Sequence, residues 1–181
     1  MKMLAISGSA RLMSTNTGLL RALQAVAPEG VDIDVFEGVG DLPVFSADRD
    51  GVNLPEIVQV FMNRITSGDG LIISSPEYVR SIPGGMKNAI DWLVSGDQIV
   101  AKPIALVHAS HRGDDMLSAL RTVLSTVSSN FNEALFFRLP VMNEKPEAIR
   151  AILEASSRLE AEEFLLAFRT FCERKMPPSA Q

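Results

Sequence analysis

At 181 residues, with 46% hydrophobic and 22% charged side chains, the chain is sized for one domain with a substantial core. Its formal charge of -5 provides no basic footprint for nucleic acid and no polybasic anchor for a membrane, and no apolar run approaches the roughly 20 residues that span a bilayer. The single Cys172 has no internal disulfide partner, and the first apolar run stops at Ser7-Gly8, too early for a secretory signal, so a soluble cytoplasmic protein is expected.

Strand-like and helix-like patterns then alternate. Met3-Leu4-Ala5-Ile6 reads as a first strand, and Leu19, Leu23 and Val26 mark one face of the helix after it. Val31 to Phe36 alternates polar and apolar residues as a second strand, its polar face suiting a sheet edge. Asn53 is placed to cap the next helix, with Pro55 near its start, Glu56 in a capping box, and Leu54, Ile57, Val58, Phe61 and Ile65 facing inward. Gly70 to Ser75 is a third, more buried strand, Pro83 to Val94 a helix and Pro103 to Val107 a fourth strand. Met116, Leu117, Leu120, Val123, Leu124 and Val127 form the stripe of another helix. A short strand near Ala134 to Phe137 and one long helix from about Pro146 to Lys175 close the chain. Five strands and five helices in strict alternation predict an α/β fold, a flavodoxin-like doubly wound five-stranded parallel sheet of order 2-1-3-4-5. One domain over residues 1–176 and a short flexible tail at 177–181 are expected.

Ligands of such sheets sit beyond the carboxyl ends of the strands, where the loops after strands one, three and four converge. The first loop, Ser7 to Asn16, joins a strand to a helix start, where unpaired backbone N–H groups and the helix dipole favour an anion. Ser9, Ser14, Thr15, Asn16 and Arg11 add hydroxyl, amide and guanidinium donors. The alternative is an ordinary N-capped helix, because Ser, Thr and Asn are the usual caps.

The second loop makes the pattern specific. Gly8, Ser9, Arg11, Ser14 and Asn16 follow a Gly-Ser-x-Arg-x-x-Ser-x-Asn spacing, and Pro76-Glu77-Tyr78, Ser81, Pro83-Gly84 and Lys87-Asn88-Ala89-x-Asp91-Trp92 follow in order. Together they resemble the NAD(P)H-dependent FMN reductase family, which includes quinone, azo-dye and chromate reductases. Asp41 to Phe45 extends the resemblance into the loop after the second strand. The resemblance implies FMN as cofactor and NADPH or NADH as co-substrate. It assigns the FMN phosphate to Ser9, Arg11, Ser14, Thr15 and Asn16. Pro76, Glu77, Tyr78 and Val79 would border the ring, and Arg80, Ser81, Ser110, Arg112 and Gly113 would complete the pocket. No catalytic side chain and no metal are needed, since the flavin carries the hydride chemistry. It further implies a small-molecule acceptor such as a quinone or azo compound, ping-pong turnover, and a homodimer or homotetramer. A flavodoxin-type electron carrier and a free-flavin reductase serving a monooxygenase are the alternatives.

Two departures stand out. Val79 occupies a position that is usually Asn in the family, which removes an amide from the expected ring neighbourhood. The third loop, usually glycine-rich, is Ala109-Ser110-His111-Arg112-Gly113-Asp114-Asp115. There Asp114 or Asp115 is expected to cap the following helix, and Arg112 either to favour the anionic flavin hydroquinone or to receive a nicotinamide nucleotide phosphate. His108, His111, Asp114 and Asp115 superficially suggest a metal cluster, but a strand-end histidine and a solvated loop account for them. Walker A and dinucleotide glycine patterns are absent.

Overall fold

The structure, a computed structural model, describes residues 1–174, the side chain of Val52 apart. The expected tail at 177–181 lies outside the described residues. Lys2–Ser7 forms β1, Thr15–Ala25 α1, Asp32–Phe36 β2, Glu56–Ser67 α2, Gly70–Ser74 β3 and Gly84–Asp91 α3. Ile104–His108 forms β4, Asp114–Val127 α4, Phe131–Arg138 β5, Pro146–Ser156 α5 and Arg158–Glu173 α6. All strand pairs are parallel and the order is β2-β1-β3-β4-β5, as the alternation of elements predicts.

Both faces of the central strands are covered, so their sequences are almost continuously apolar while their side chains still alternate. Leu4 and Ile6 of β1 join Leu71, Ile73, Ile104 and Leu106 under α2, α3 and α4. Met3 and Ala5 join Ile72, Ala105 and Val107 under α1, α5 and α6. Gly18 lets α1 approach the start of α5, since a Cβ there would sit 2.7 Å from Ile149 Cδ1 and 3.0 Å from Pro146 Cα. Trp92 is fully buried and donates its indole N–H to the Pro43 carbonyl at 2.7 Å. Asn88 donates to the same carbonyl at 3.0 Å and accepts from the Phe45 amide at 2.8 Å. The Lys-Asn-Ala-x-Asp-Trp stretch therefore pins the loop after β2 to α3.

Several element boundaries differ from the sequence expectation. The final helix is two helices broken at Ser157, whose φ of -147° and ψ of 25° leave the helical region. Ile149 and Leu153 of α5 belong to the same buried cluster as Ala161, Phe164, Leu165 and Phe168 of α6, and reorienting the axis at Ser157 lets each stripe find its own neighbours. Asn53 does not cap α2: it ends a 3-10 turn, Gly51–Asn53, and Pro55 is the capping residue without a side-chain bond. Ile57 is exposed, and Met62 takes the buried place expected of it. The helix expected over Pro83 to Val94 stops at Asp91. No described helix is long and apolar enough to cross a membrane.

Cys172 lies partly buried beside the start of β3, where a Cβ on Gly70 would meet its Sγ at 2.6 Å. Burial pushes the thiol up to about 12 from the ordinary 9.0. Because the thiolate is the reactive form, alkylation by iodoacetamide at pH 8 is expected to be far slower in the folded than in the urea-unfolded protein. Equal rates would show that the thiol is open. The raised value also means that this group's contribution to stability is intact below about pH 9 and declines as pH rises toward 12.

Candidate functional site

The carboxyl ends of β1, β3, β4 and β5 deliver four loops to one crevice. A cavity of about 250 Å³ is bounded by Thr15 and Asn16 from the first loop and helix, Pro76 and Glu77 from the second, and His108 to Gly113 (His111 excepted) from the third, with Met142 behind. A neighbouring cavity of about 310 Å³ shares Thr15 and Met142 and adds Arg11, Met13 and Lys145. Met142 to Lys145, the loop after β5, is thus a fourth wall that was not singled out in the sequence. The strand-end rule applied to the fifth strand would have found it.

The first loop is held by its own hydroxyls. Ser7 Oγ and Thr17 Oγ1 are 2.8 Å apart, the Arg11 amide donates to Ser9 Oγ at 3.2 Å, and Ser74 Oγ donates to Asn16 Oδ1 at 2.9 Å. Asn16 therefore commits its amide oxygen to β3 and keeps its NH2 group as the donor it can offer. Ser14 is the N-cap of α1 in extended conformation but makes no side-chain capping bond, and the first turn contains no acidic residue. The start of α1 is left chemically open to an anion. Not all of the expected phosphate ligands meet in one cavity. Ser9 and Arg11 line a third cavity of about 270 Å³ on the β2 side, and Arg11 Nη2 donates to the Met13 carbonyl at 2.7 Å.

The start of α4 is the opposite case. Its N-cap, Gly113, has a φ of 100° and no side chain. Glu77 Oε2 accepts the Met116 amide at 3.0 Å, and Arg80 pairs with Asp115 at 2.5 Å. Asp114 pairs with Arg138 at 2.7 Å, which holds its carboxyl below the usual carboxylate range. Neither aspartate is the expected cap, because both already belong to the first helical turn, and both are neutralised by an arginine. His108 is buried and shares Nε2 with the Arg112 carbonyl at 2.5 Å, while its buried Nδ1 has no partner. Burial lowers its pKa, so it stays neutral near pH 7 and braces the third loop. Ser110 Oγ accepts the Arg112 amide at 3.0 Å, and the Arg112 side chain is at the exposed rim.

Tyr78, Val79, Arg80 and Ser81 form the tip of the second loop and do not line the cavity. Tyr78 and Ser81 exchange two backbone bonds of 3.1 Å, and Val79 and Arg80 between them have φ of 52° and 58°. Paired positive φ values are those of a type I′ turn, which favours Asn-Gly and strains a β-branched residue. Val79 is 99% exposed, so its side chain points away from the crevice and its effect is on the backbone. Val79→Asn is expected to raise stability by about 1 kcal/mol, read from urea unfolding; a loss of stability would show that the turn is unstrained.

Residues 1–137 match the family model of the NADPH-dependent FMN reductases. The chain is 42% identical over 92 residues to the 2-hydroxy-1,4-benzoquinone reductase of a Burkholderia species, covering 51% of this chain and 49% of that protein. It is 33% identical over 116 residues to the quinone reductase of Escherichia coli, covering 62% and 61% respectively. The aligned part thus spans about half to three fifths of the length of these curated relatives. Among solved structures, the flavoenzyme NAD(P)H:(acceptor) oxidoreductase FerB from Paracoccus denitrificans is similar with a TM-score of 0.75 and 26% identity, over 95% of this chain and 97% of that one.

Proposed function

Because the chain belongs to the NADPH-dependent FMN reductase family, we propose that it is an FMN-containing oxidoreductase that draws electrons from NADPH or NADH and reduces a quinone or a similar electrophile. The contrast between the two helix starts on the crevice carries this reading. One is filled by the protein's own carboxylates, and the other, at Thr15, is bare of acid and of a side-chain cap. A phosphate therefore has one natural seat, at α1, and a flat ring attached to it would be held in the cavity that Thr15 and Asn16 share with the second and third loops. The names of the relatives, reductases of quinones and an NAD(P)H:(acceptor) oxidoreductase, support this reading over that of a one-electron carrier.

When bound, FMN supplies the hydride chemistry. The residues bind and orient. Amides of Thr15 and Asn16 at the start of α1, with the Arg11 guanidinium now on the Met13 carbonyl, would hold the phosphate, and Pro76 would stiffen the loop beside the ring. With Asp114 and Asp115 neutralised, Arg112 is the charge that the third loop presents at the rim, which suits the extra phosphate of NADPH. Protein soluble in the cytoplasm, as a homodimer or homotetramer, completes the proposal. The exposed Tyr78 and Val79 at the loop tip are apolar enough to meet a second copy, and light scattering that finds only an active monomer would end that part.

The test is an FMN titration of apo protein, followed by steady-state turnover with NAD(P)H and quinone beside free FMN. Arg11→Ala is expected to weaken FMN binding by about 1.5–3 kcal/mol, the scale of a charged hydrogen bond. An unchanged dissociation constant removes Arg11 from the phosphate seat, and protein that takes up no FMN defeats the proposal.

A further inference from the structure

The amide of Met116, third residue of α4, is in the place that an N-cap oxygen normally serves. Gly113 has no side chain to serve it. The partner comes instead from Glu77, on a different loop and 39 residues away in sequence, at 3.0 Å. The same loop sends Arg80 to Asp115, the second residue of the helix. Between these two contacts the Tyr78–Ser81 turn is closed by its pair of backbone bonds, so the segment from Glu77 to Ser81 behaves as one stiff hairpin stapled to α4.

Three carboxylates meet at this helix start. Arg138 takes Asp114 and Arg80 takes Asp115, which leaves Glu77 compensated by the Met116 amide and the dipole of α4. Its Oε2 is committed to the protein backbone, although Glu77 also lines the 250 Å³ cavity.

We propose that Glu77 is a positioning residue: it caps α4 from across the crevice and thereby fixes the separation of the second and third loops, which sets the width of the ring pocket. The pocket's part in this inference rests on the FMN reading, whereas the clamp itself does not. Its readout is hydrogen exchange at the Met116 amide in the full chain, with and without FMN, in wild type, Glu77→Ala and Glu77→Gln. Alanine is expected to speed Met116 exchange about tenfold or more. Glutamine, whose amide oxygen still accepts, is expected to restore protection to within about threefold and to keep the protein folded. FMN affinity should follow the same order, falling about tenfold in Glu77→Ala and staying near wild type in Glu77→Gln.

Unchanged Met116 exchange in Glu77→Ala would overturn the clamp. Glutamine behaving like alanine would also overturn it, because charge rather than a cap would then be at work. Loss of Met116 protection with unaltered FMN affinity would overturn the positioning role. Wild-type protein that takes up no FMN would defeat the flavin reading instead, before any variant is compared, and the Met116 exchange would still decide the clamp.

Discussion

Thr15→Asp is expected to weaken FMN binding by about 2–4 kcal/mol while leaving the empty protein as stable as before, or more stable by a few tenths. The two signs separate because the same carboxylate acts on different partners. Thr15 is the first residue of α1, whose opening turn has no acid and whose Ser14 makes no side-chain cap. A carboxylate there complements the helix dipole in the apo protein. It also stands within a few ångströms of where a phosphate would seat, and at an effective dielectric near 20 two like charges about 4 Å apart repel by about 4 kcal/mol. Thermal unfolding of apo protein and an FMN titration read the two effects separately. If Thr15→Asp binds FMN as wild type does, the phosphate is elsewhere and the seat at α1 is refuted.

Gly113→Ala should lower stability by about 2–4 kcal/mol. A Cβ at this residue would lie 2.7 Å from Nε2 and 3.0 Å from Cε1 of His108, and the φ of +100° is unfavourable for any L side chain. The conformation costs about 1–2 kcal/mol and overpacking a further 1–3, against a gain of under about 1 from a stiffer unfolded chain. His108 cannot retreat easily, because it is buried and holds the Arg112 carbonyl. Gly84→Ala is the matched control: a Cβ there meets nothing within 4 Å and φ is not positive. Urea unfolding of both variants checks this, and a cost below about 1 kcal/mol for Gly113→Ala would show that the third loop yields freely.

The sheet was legible because each of its signals is local. Apolar runs at Met3 to Ile6 and Leu71 to Ile73, helical stripes at Leu19, Leu23, Met116 and Leu120, and their alternation along the chain suffice for a doubly wound order. The departures arise where a distant partner decides. Nothing near Ser157 says that α5 and α6 need different axes; their separate packing does. Asn53 has the chemistry of a cap, but the chain spends it in a 3-10 turn and starts α2 from Pro55. In the crevice, the strand-end rule brings the first, second and third loops together, and His108 to Gly113, His111 excepted, share one cavity with Thr15, Asn16, Pro76 and Glu77. Glu77 as the cap of α4 was not readable, since the bond joins two loops that only the folded sheet brings together. The sequence marks Val79 by a missing amide, whereas the structure places its strain in a backbone φ of 52° that the Tyr78–Ser81 turn imposes.

The pairing of β4 with β5 has a consequence beyond the site. Ile104 faces Phe131 and Leu106 faces Phe136, so five residue steps on the outer strand oppose two on the inner one. The excess bows out around Asn132 to Leu135, with the Ala134 amide satisfied by Asn132 Oδ1 at 3.1 Å and Glu133 held by Arg121. On the far side of the sheet, β2 carries Asp32 and Asp34, the latter paired with Arg64. Open strand rims are templates for intermolecular β-pairing, and bulges and charges are the usual defences. Here one rim is warped and the other carries charged side chains, so neither offers a straight apolar template. The guard against pairing of one copy's sheet with another's is thus placed in the outermost strands, not in the core.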